Sequence, residues 1–223
     1  DDKTPTAAEE IWDGLDGLTV GGLVGTAGSS GVFNYINSMG GINFNGAVRK
    51  GSGTKNADGS SSGAGQSAWD FALTGSGDMM GVDGLSWGTG YGESEIGSVN
   101  SAGGSSQDNE HFTIFANYAI GPATVGYQYS NINNGGVGST DEVADAWGVA
   151  FNVNDNLSIS YGEREVEYQK PSSSHVTENG EGVAVAYTMG SMKIAGNRNE
   201  VSDNNGTDGS EDQMTEIALS FAF

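Results

Sequence analysis

Twenty-nine Asp and Glu face only eight Lys and Arg, a formal charge of -21 over 223 residues, so carboxylates dominate whatever chemistry the chain performs. Glu9, Glu10, Asp13 and Asp16 crowd one short segment, with Ile11, Trp12, Leu15 and Leu18 interleaved to anchor it. Arg49, Arg164 and Lys193 are the cations that fall on the small, polar side of their segments. Acidic groups on one wall of a narrow aqueous gap and basic groups on the other create a transverse field. Such a field sorts ions by charge while the gap sorts solutes by width. The plainer alternative for residues 9–16 is a solvated, flexible start to the chain. For Arg49 and Arg164 it is a strand end whose long side chain snorkels back to the rim.

Other chemistries are poorly supported. Residues 203–212 read Asp-Asn-Asn-Gly-Thr-Asp-Gly-Ser-Glu-Asp, with oxygen ligands at alternating positions as a hard cation requires. Met214 stands where an EF-hand would have its closing glutamate, so two readings stay open, weak calcium binding in acidic loops and a solvated acidic loop. No other cofactor is implied. Cysteine is absent, which removes disulfides and thiolate metal sites. His111 and His175 are far apart, with no serine-centred elbow beside them, so no enzyme is expected. The acidic excess opposes nucleic-acid phosphates as partners.

The elements that would position these groups are strands. With 38 Gly, 35% hydrophobic residues and no apolar run near the roughly 20 residues of a spanning helix, helical architectures are excluded. Eleven strands are expected at 31–37, 41–50, 67–75, 83–92, 110–120, 122–131, 143–153, 156–168, 181–189, 191–200 and 213–223. Short turns follow the odd-numbered strands, centred on Ser38-Met39-Gly40, Gly121, Asn154-Asp155 and Gly190, with a longer turn at 75–82. Long polar loops follow the even-numbered ones, at 51–66, 93–109, 132–142, 169–180 and 201–212. Such segregation of loop length is what a transmembrane up-and-down antiparallel β-barrel produces, with short turns at one end and long loops at the other.

Alternation supplies the faces. Val125, Tyr127 and Tyr129 oppose Thr124, Gly126, Gln128 and Ser130; Trp147, Val149, Phe151 and Val153 oppose Ala146, Gly148, Ala150 and Asn152. The small face is too slight to fill a dry core and too poor in charge for a soluble protein's surface. It suits a wet lumen, with the bulky face against hydrocarbon. Tyr118, Tyr127, Trp147, Tyr187, Phe221 and Phe223 are expected near the turn-proximal ends of that bulky face as a membrane girdle, and Tyr91, Tyr129, Tyr161 and Tyr168 nearer the loops.

The closing Glu216-Ile217-Ala218-Leu219-Ser220-Phe221-Ala222-Phe223, the hairpin Tyr118-Ala119-Ile120-Gly121-Pro122-Ala123-Thr124-Val125-Gly126-Tyr127-Gln128-Tyr129, and the segments 154–162 and 182–190 resemble the general porins of Gram-negative bacteria, the alphaproteobacterial type in particular. The likeness covers residues 31–223 and is one of texture more than motif. It implies a sixteen-stranded barrel, usually a homotrimer, passing small hydrophilic solutes and ions. Outer-membrane lipid and lipopolysaccharide would surround it, and Phe223 would match the terminal residue that barrel-insertion machinery reads. Residues 1–30 would correspond to the constriction loop, and about five N-terminal strands of the family pattern are not found in the sequence. A surface barrel without a channel, adhesive through its loops, and a secreted acidic calcium-loop β-protein are the alternatives.

Overall fold

The computed structural model describes residues 32–51, 54–55, 61–62, 67–95, 108–135 and 138–222. Among them, one antiparallel sheet holds eleven strands in chain order: β1 (Val32–Met39), β2 (Ile42–Arg49), β3 (Ala68–Ser76), β4 (Leu85–Ser94), β5 (Asn109–Ile120), β6 (Ala123–Asn133), β7 (Asp141–Asn154), β8 (Leu157–Gln169), β9 (Val176–Met189), β10 (Met192–Ser202) and β11 (Glu211–Phe221). Every strand pairs only with its sequence neighbours, and β1 and β11 form the two edges. A two-residue ribbon, Thr54–Lys55 against Ser61–Ser62, lies in the connection after β2. The acidic segment with Glu9, Glu10, Asp13 and Asp16, the expected constriction segment 1–30, and Phe223 lie outside the described residues.

All eleven expected strands are present, most within two residues of their expected ends. The exception is β9, which begins at Val176 rather than 181. Val176-Thr177-Glu178-Asn179-Gly180 has the composition of a loop, yet it continues the ladder because Tyr168, Glu167, Val166, Glu165 and Arg164 of β8 stand opposite it. Tertiary pairing overrides local propensity there.

The first turn sits one residue later than expected, on Gly40 and Gly41, with φ of 61° and 85°. Two successive left-handed residues make the tight hairpin whose twist matches the flanking strands, and glycine adopts them without Cβ strain. Between β3 and β4 a 3-10 turn, Gly77–Met80, leads to Gly84, whose φ is 80°. A Cβ on Gly84 would lie 2.4 Å from the Ala119 carbonyl oxygen, whereas one on Gly40 would meet nothing within 4 Å.

Burial separates the two faces. Thr113, Gln128, Ser130, Ala144, Ala146, Arg164, Val166, Glu178, Asn199 and Val201 are buried and share one side. On a curved sheet, concave side chains crowd one another while convex ones splay apart, so this is the inner face. Trp147 and Phe151 are 41% exposed and Phe221 53%, all on the other side. The bulky face therefore looks outward, as expected from the scarcity of charge on the small face.

Left-handed strain alone makes Gly40→Ala cost about 1–2 kcal/mol. Gly84→Ala should cost about 1–3 kcal/mol more, because the Cβ also meets backbone. Urea unfolding of the two variants in detergent micelles measures the difference; equal costs would contradict the close approach at Gly84.

Candidate functional site

The inner face is built in rows across the strands. Gly126, Gly148, Gly162 and Gly182 are successive register partners on β6, β7, β8 and β9, and Asn199 of β10 continues the row. Toward the turns, Thr124, Ala150, Ser160, Ala184 and Asn197 form the next row. A wall with so little side-chain bulk leaves space beside it, and its Ser, Thr and Asn groups are suited to contact with water.

Toward the loops the wall becomes ionic. Arg164, 4% exposed, donates from Nη2 to Glu178 Oε1 at 3.3 Å, and Glu178 has no exposed surface. Tyr168 Oη–H donates to Glu178 Oε2 at 3.3 Å, and the Asn205 N–H donates to the same oxygen at 2.8 Å. Val166, Ala144 and Ile132 pack beside this group, with Tyr168 against them. A carboxylate stripped of water needs such donors, since an uncompensated buried charge costs several kcal/mol. Glu178 was not singled out from the sequence, because its neighbours look like loop. Its signal would have been the parity it shares with Gly180 and Gly182 once β9 is extended.

The expected cations do not form one ring. Arg49 lies half-buried at the loop-side end of β2, on the inner face with Asp70, whose register partner is Ala47. Arg164 is spent on Glu178. Lys193 faces inward but is exposed at the turn-side end of β10, at the opposite end of the strands from the other two. Along the described strands the inner face carries Asp70, Glu142, Glu178, Asp212 and Glu216 against Arg49, Arg164 and Lys193. His111 is on β5, whereas His175 lies in the connection before β9 with Nδ1 3.3 Å from Glu167 Oε1, so the histidines are not brought together.

The segment 203–210 is folded rather than loosely solvated. Gly209 N–H donates to Asp203 Oδ1 at 2.7 Å, and Asn204 N–H to the Ser210 carbonyl at 3.0 Å. The Asp203 carboxylate thus caps backbone inside the loop. Among the described residues no group of three or more acidic or histidine side chains is arranged to hold a metal ion.

The outer face has two zones. Turnward it is apolar: Val183, Val185, Tyr187 and Met189 on β9, with Ile217, Leu219 and Phe221 on β11, are all exposed. Loopward it carries carboxylates, and aromatic side chains stand between with their polar tips on them. Trp69 Nε1 donates to Glu93 Oε2 at 3.2 Å and Tyr91 Oη to Glu93 Oε1 at 2.8 Å. Trp147 Nε1 donates to Glu163 Oε2 at 3.2 Å, and Tyr161 Oη–H lies 2.6 Å from Glu163 Oε1 and 3.0 Å from Glu181 Oε2. Tyr127 donates to Asp145. Tyr127 and Trp147 are register partners near the middle of their strands, with polar tips on Asp145 and Glu163, whereas Tyr118, Tyr187 and Phe221 lie near the turns. Their polar tips follow hydrogen-bond acceptors, which parity alone could not reveal. Tyr168 is inside, as its parity required.

No family model matches the sequence, and no curated protein sequence is similar. Solved structures do match. The anion-selective porin from Comamonas acidovorans aligns over 99% of this chain and 67% of its own, with 14% identity and a TM-score of 0.64. OmpT, an outer membrane protein of Vibrio cholerae, aligns in its in-vitro folded form over 84% of this chain with 13% identity and a TM-score of 0.55. Its loop L8 deletion mutant gives 85%, 15% and 0.58. This chain spans 60% of the length of the first of these OmpT structures and 62% of the second. The fold is that of the bacterial outer-membrane β-barrels. With an apolar outer band and a small, polar inner wall, the chain is an outer-membrane-type β-barrel sheet of eleven antiparallel strands.

An arginine at the middle of a barrel's lipid-facing band costs about 2–4 kcal/mol. Val185→Arg should show that loss in denaturant refolding into lipid vesicles, while Ala184→Arg, one residue away on the inner wall, should lose far less. The reverse order would mean that the faces are exchanged.

Proposed function

We propose that this protein is a channel of the bacterial outer membrane, a general diffusion porin through which small hydrophilic solutes and ions pass passively. The observation that carries this reading is the inner wall: glycine, alanine, serine and asparagine in register, facing away from an apolar outer band. Side chains of that size cannot close the interior of a wide barrel by packing. Water can occupy such an interior, as it does in large barrels with polar lumens. The fold likeness to an anion-selective porin supports the class, and the trimer form among the OmpT structures supports a homotrimer. Outer-membrane lipid and lipopolysaccharide are the surroundings that the aromatic and carboxylate zones fit. Catalysis is not part of this reading.

Its charge preference differs in sign from the one named for the Comamonas protein. Arg164 and Glu178 neutralise each other, which leaves Asp70, Glu142, Asp212 and Glu216 against Arg49 and Lys193 along the described strands. A wall with excess carboxylate raises the local concentration of cations.

In planar bilayers the purified protein should give stepwise conductance, with a reversal potential under a KCl gradient of the sign for potassium. Glu142→Gln with Glu216→Gln should move that potential toward zero. A silent bilayer would overturn the channel and favour a surface barrel that binds through its loops; chloride preference would overturn the charge assignment.

A further inference from the structure

The segment between β10 and β11 does not project away from the strands. Its 3-10 turn, Asn204–Gly206, packs on β8 and β9, the strands that carry Arg164 and Glu178. Gly206 lies against Tyr168 so closely that a Cβ there would be 2.6 Å from the Tyr168 Cγ. Lys170 Nζ reaches the Gly206 carbonyl, and the Asn205 N–H is held by Glu178. Asp203 and Asn205 both have left-handed backbones, with φ of 55° and 53°. Asp and Asn are the residues with a Cβ that adopt this conformation most readily, and here the Asp203 carboxylate on the Gly209 amide and the Asn205 amide on Glu178 hold it. Arg164, bonded to the same Glu178, is buried, and its Nε and Nη1 have no hydrogen-bond partner.

We propose that residues 203–210 are a strap fastened to the inner wall by the Glu178 carboxylate, and that the fastening withholds the Arg164 guanidinium from anions in the lumen. Glu178 is then a specificity-determining residue, acting through the strap and through Arg164. The selectivity part rests on the channel reading above; the fastening does not. A guanidinium with unused donors on a lumen wall is an anion site, and carboxylate or phosphate groups are the chemistry it would take. In the fastened state it contributes no anion preference. Released, it would.

Two variants separate fastening from simple loss of charge. Glu178→Gln removes the anchor and one negative charge. Gly206→Val expels the strap from Tyr168 and changes no charge at all. Hydrogen exchange of the protein in detergent reads the fastening directly. Loss of a hydrogen bond to a charged acceptor should speed exchange at the Asn205 amide about tenfold or more in either variant, with β8 and β9 still protected as evidence of an intact sheet. In bilayers, both variants should shift the reversal potential toward chloride, and Arg164→Gln should abolish the shift caused by Gly206→Val. Unchanged exchange at Asn205 overturns the strap. A Gly206→Val shift that survives Arg164→Gln, or no shift despite faster exchange, overturns the role of Arg164. If the unaltered protein gives no conductance, the channel reading fails and the selectivity clause fails with it, while exchange still decides the fastening.

Discussion

Backbone pairing is the constraint on which everything else depends. Hydrocarbon offers no partner to an N–H or C=O group, and each one left unpaired costs several kcal/mol, so a membrane-spanning sheet must satisfy its backbone between strands. The ladder here does so with a strict meander: each strand from β2 to β10 is bonded to its predecessor and its successor, and nearly every turn is short at one end. That regularity fixes the faces. Once the Gly40-Gly41 hairpin sets the register of β1 on β2, and Gly121-Pro122 that of β5 on β6, parity decides which residues meet lipid. β1 and β11 are each paired on one side only among the described residues. In lipid, those two edges demand further strand pairing, whichever strands supply it.

The outer zones follow from the same constraint, joined to the chemistry of aromatic rings. From Val183 to Met189 the apolar stretch of β9 spans six residue intervals, about 20 Å along the strand, and tilt shortens its projection. A typical barrel band is about 25 Å tall. A short band is accommodated by local thinning of the bilayer and by side chains at its rim that tolerate both environments. Trp147 and Tyr161 do this: the rings, with centroids 5.7 Å apart, belong to the apolar zone, while Nε1 and Oη donate to Glu163. The carboxylates gain donors where water thins out. Neither partner is stable there alone.

Most of the fold was legible in the sequence, because barrel strands are written in alternation and the chain alternates almost throughout. The faces were legible for the same reason, including the inward parity of Arg49, Arg164 and Lys193. What could not be read was anything set by register across strands. Glu178 lies in a stretch that looks like a loop, and only its place opposite Val166 makes it a wall residue. Arg164 reaches two residues along β9 to meet Glu178, past its own register partner Gly180. For Tyr127 and Trp147 the place on the outer face is visible in the sequence, whereas the acceptors of their polar tips, Asp145 and Glu163, are not. The loop at 203–212 advertised oxygen ligands, yet the Asp203 carboxylate is turned onto the Gly209 amide.

The buried pair illustrates why a wall so lean in side chains still needs one dense point. A buried ion pair gives little net stability, since desolvation of the two charges consumes most of their attraction. Its value lies in what it specifies. Glu178 accepts from three donors on two elements: Arg164 and Tyr168 of β8, and Asn205 in the connection before β11. Only Asn205 belongs to the connection, while Arg164 and Tyr168 hold the carboxylate that it meets. Converging on one dehydrated carboxylate they are coupled, because the loss of any one leaves the charge less compensated and weakens the case for the others remaining buried. Small inner-face residues such as Gly162, Gly180 and Gly182 make that convergence sterically feasible, and the same absence of bulk keeps the rest of the wall open. Openness over most of the wall and closure at one point thus come from a single feature of the sequence, the glycines on the inward parity.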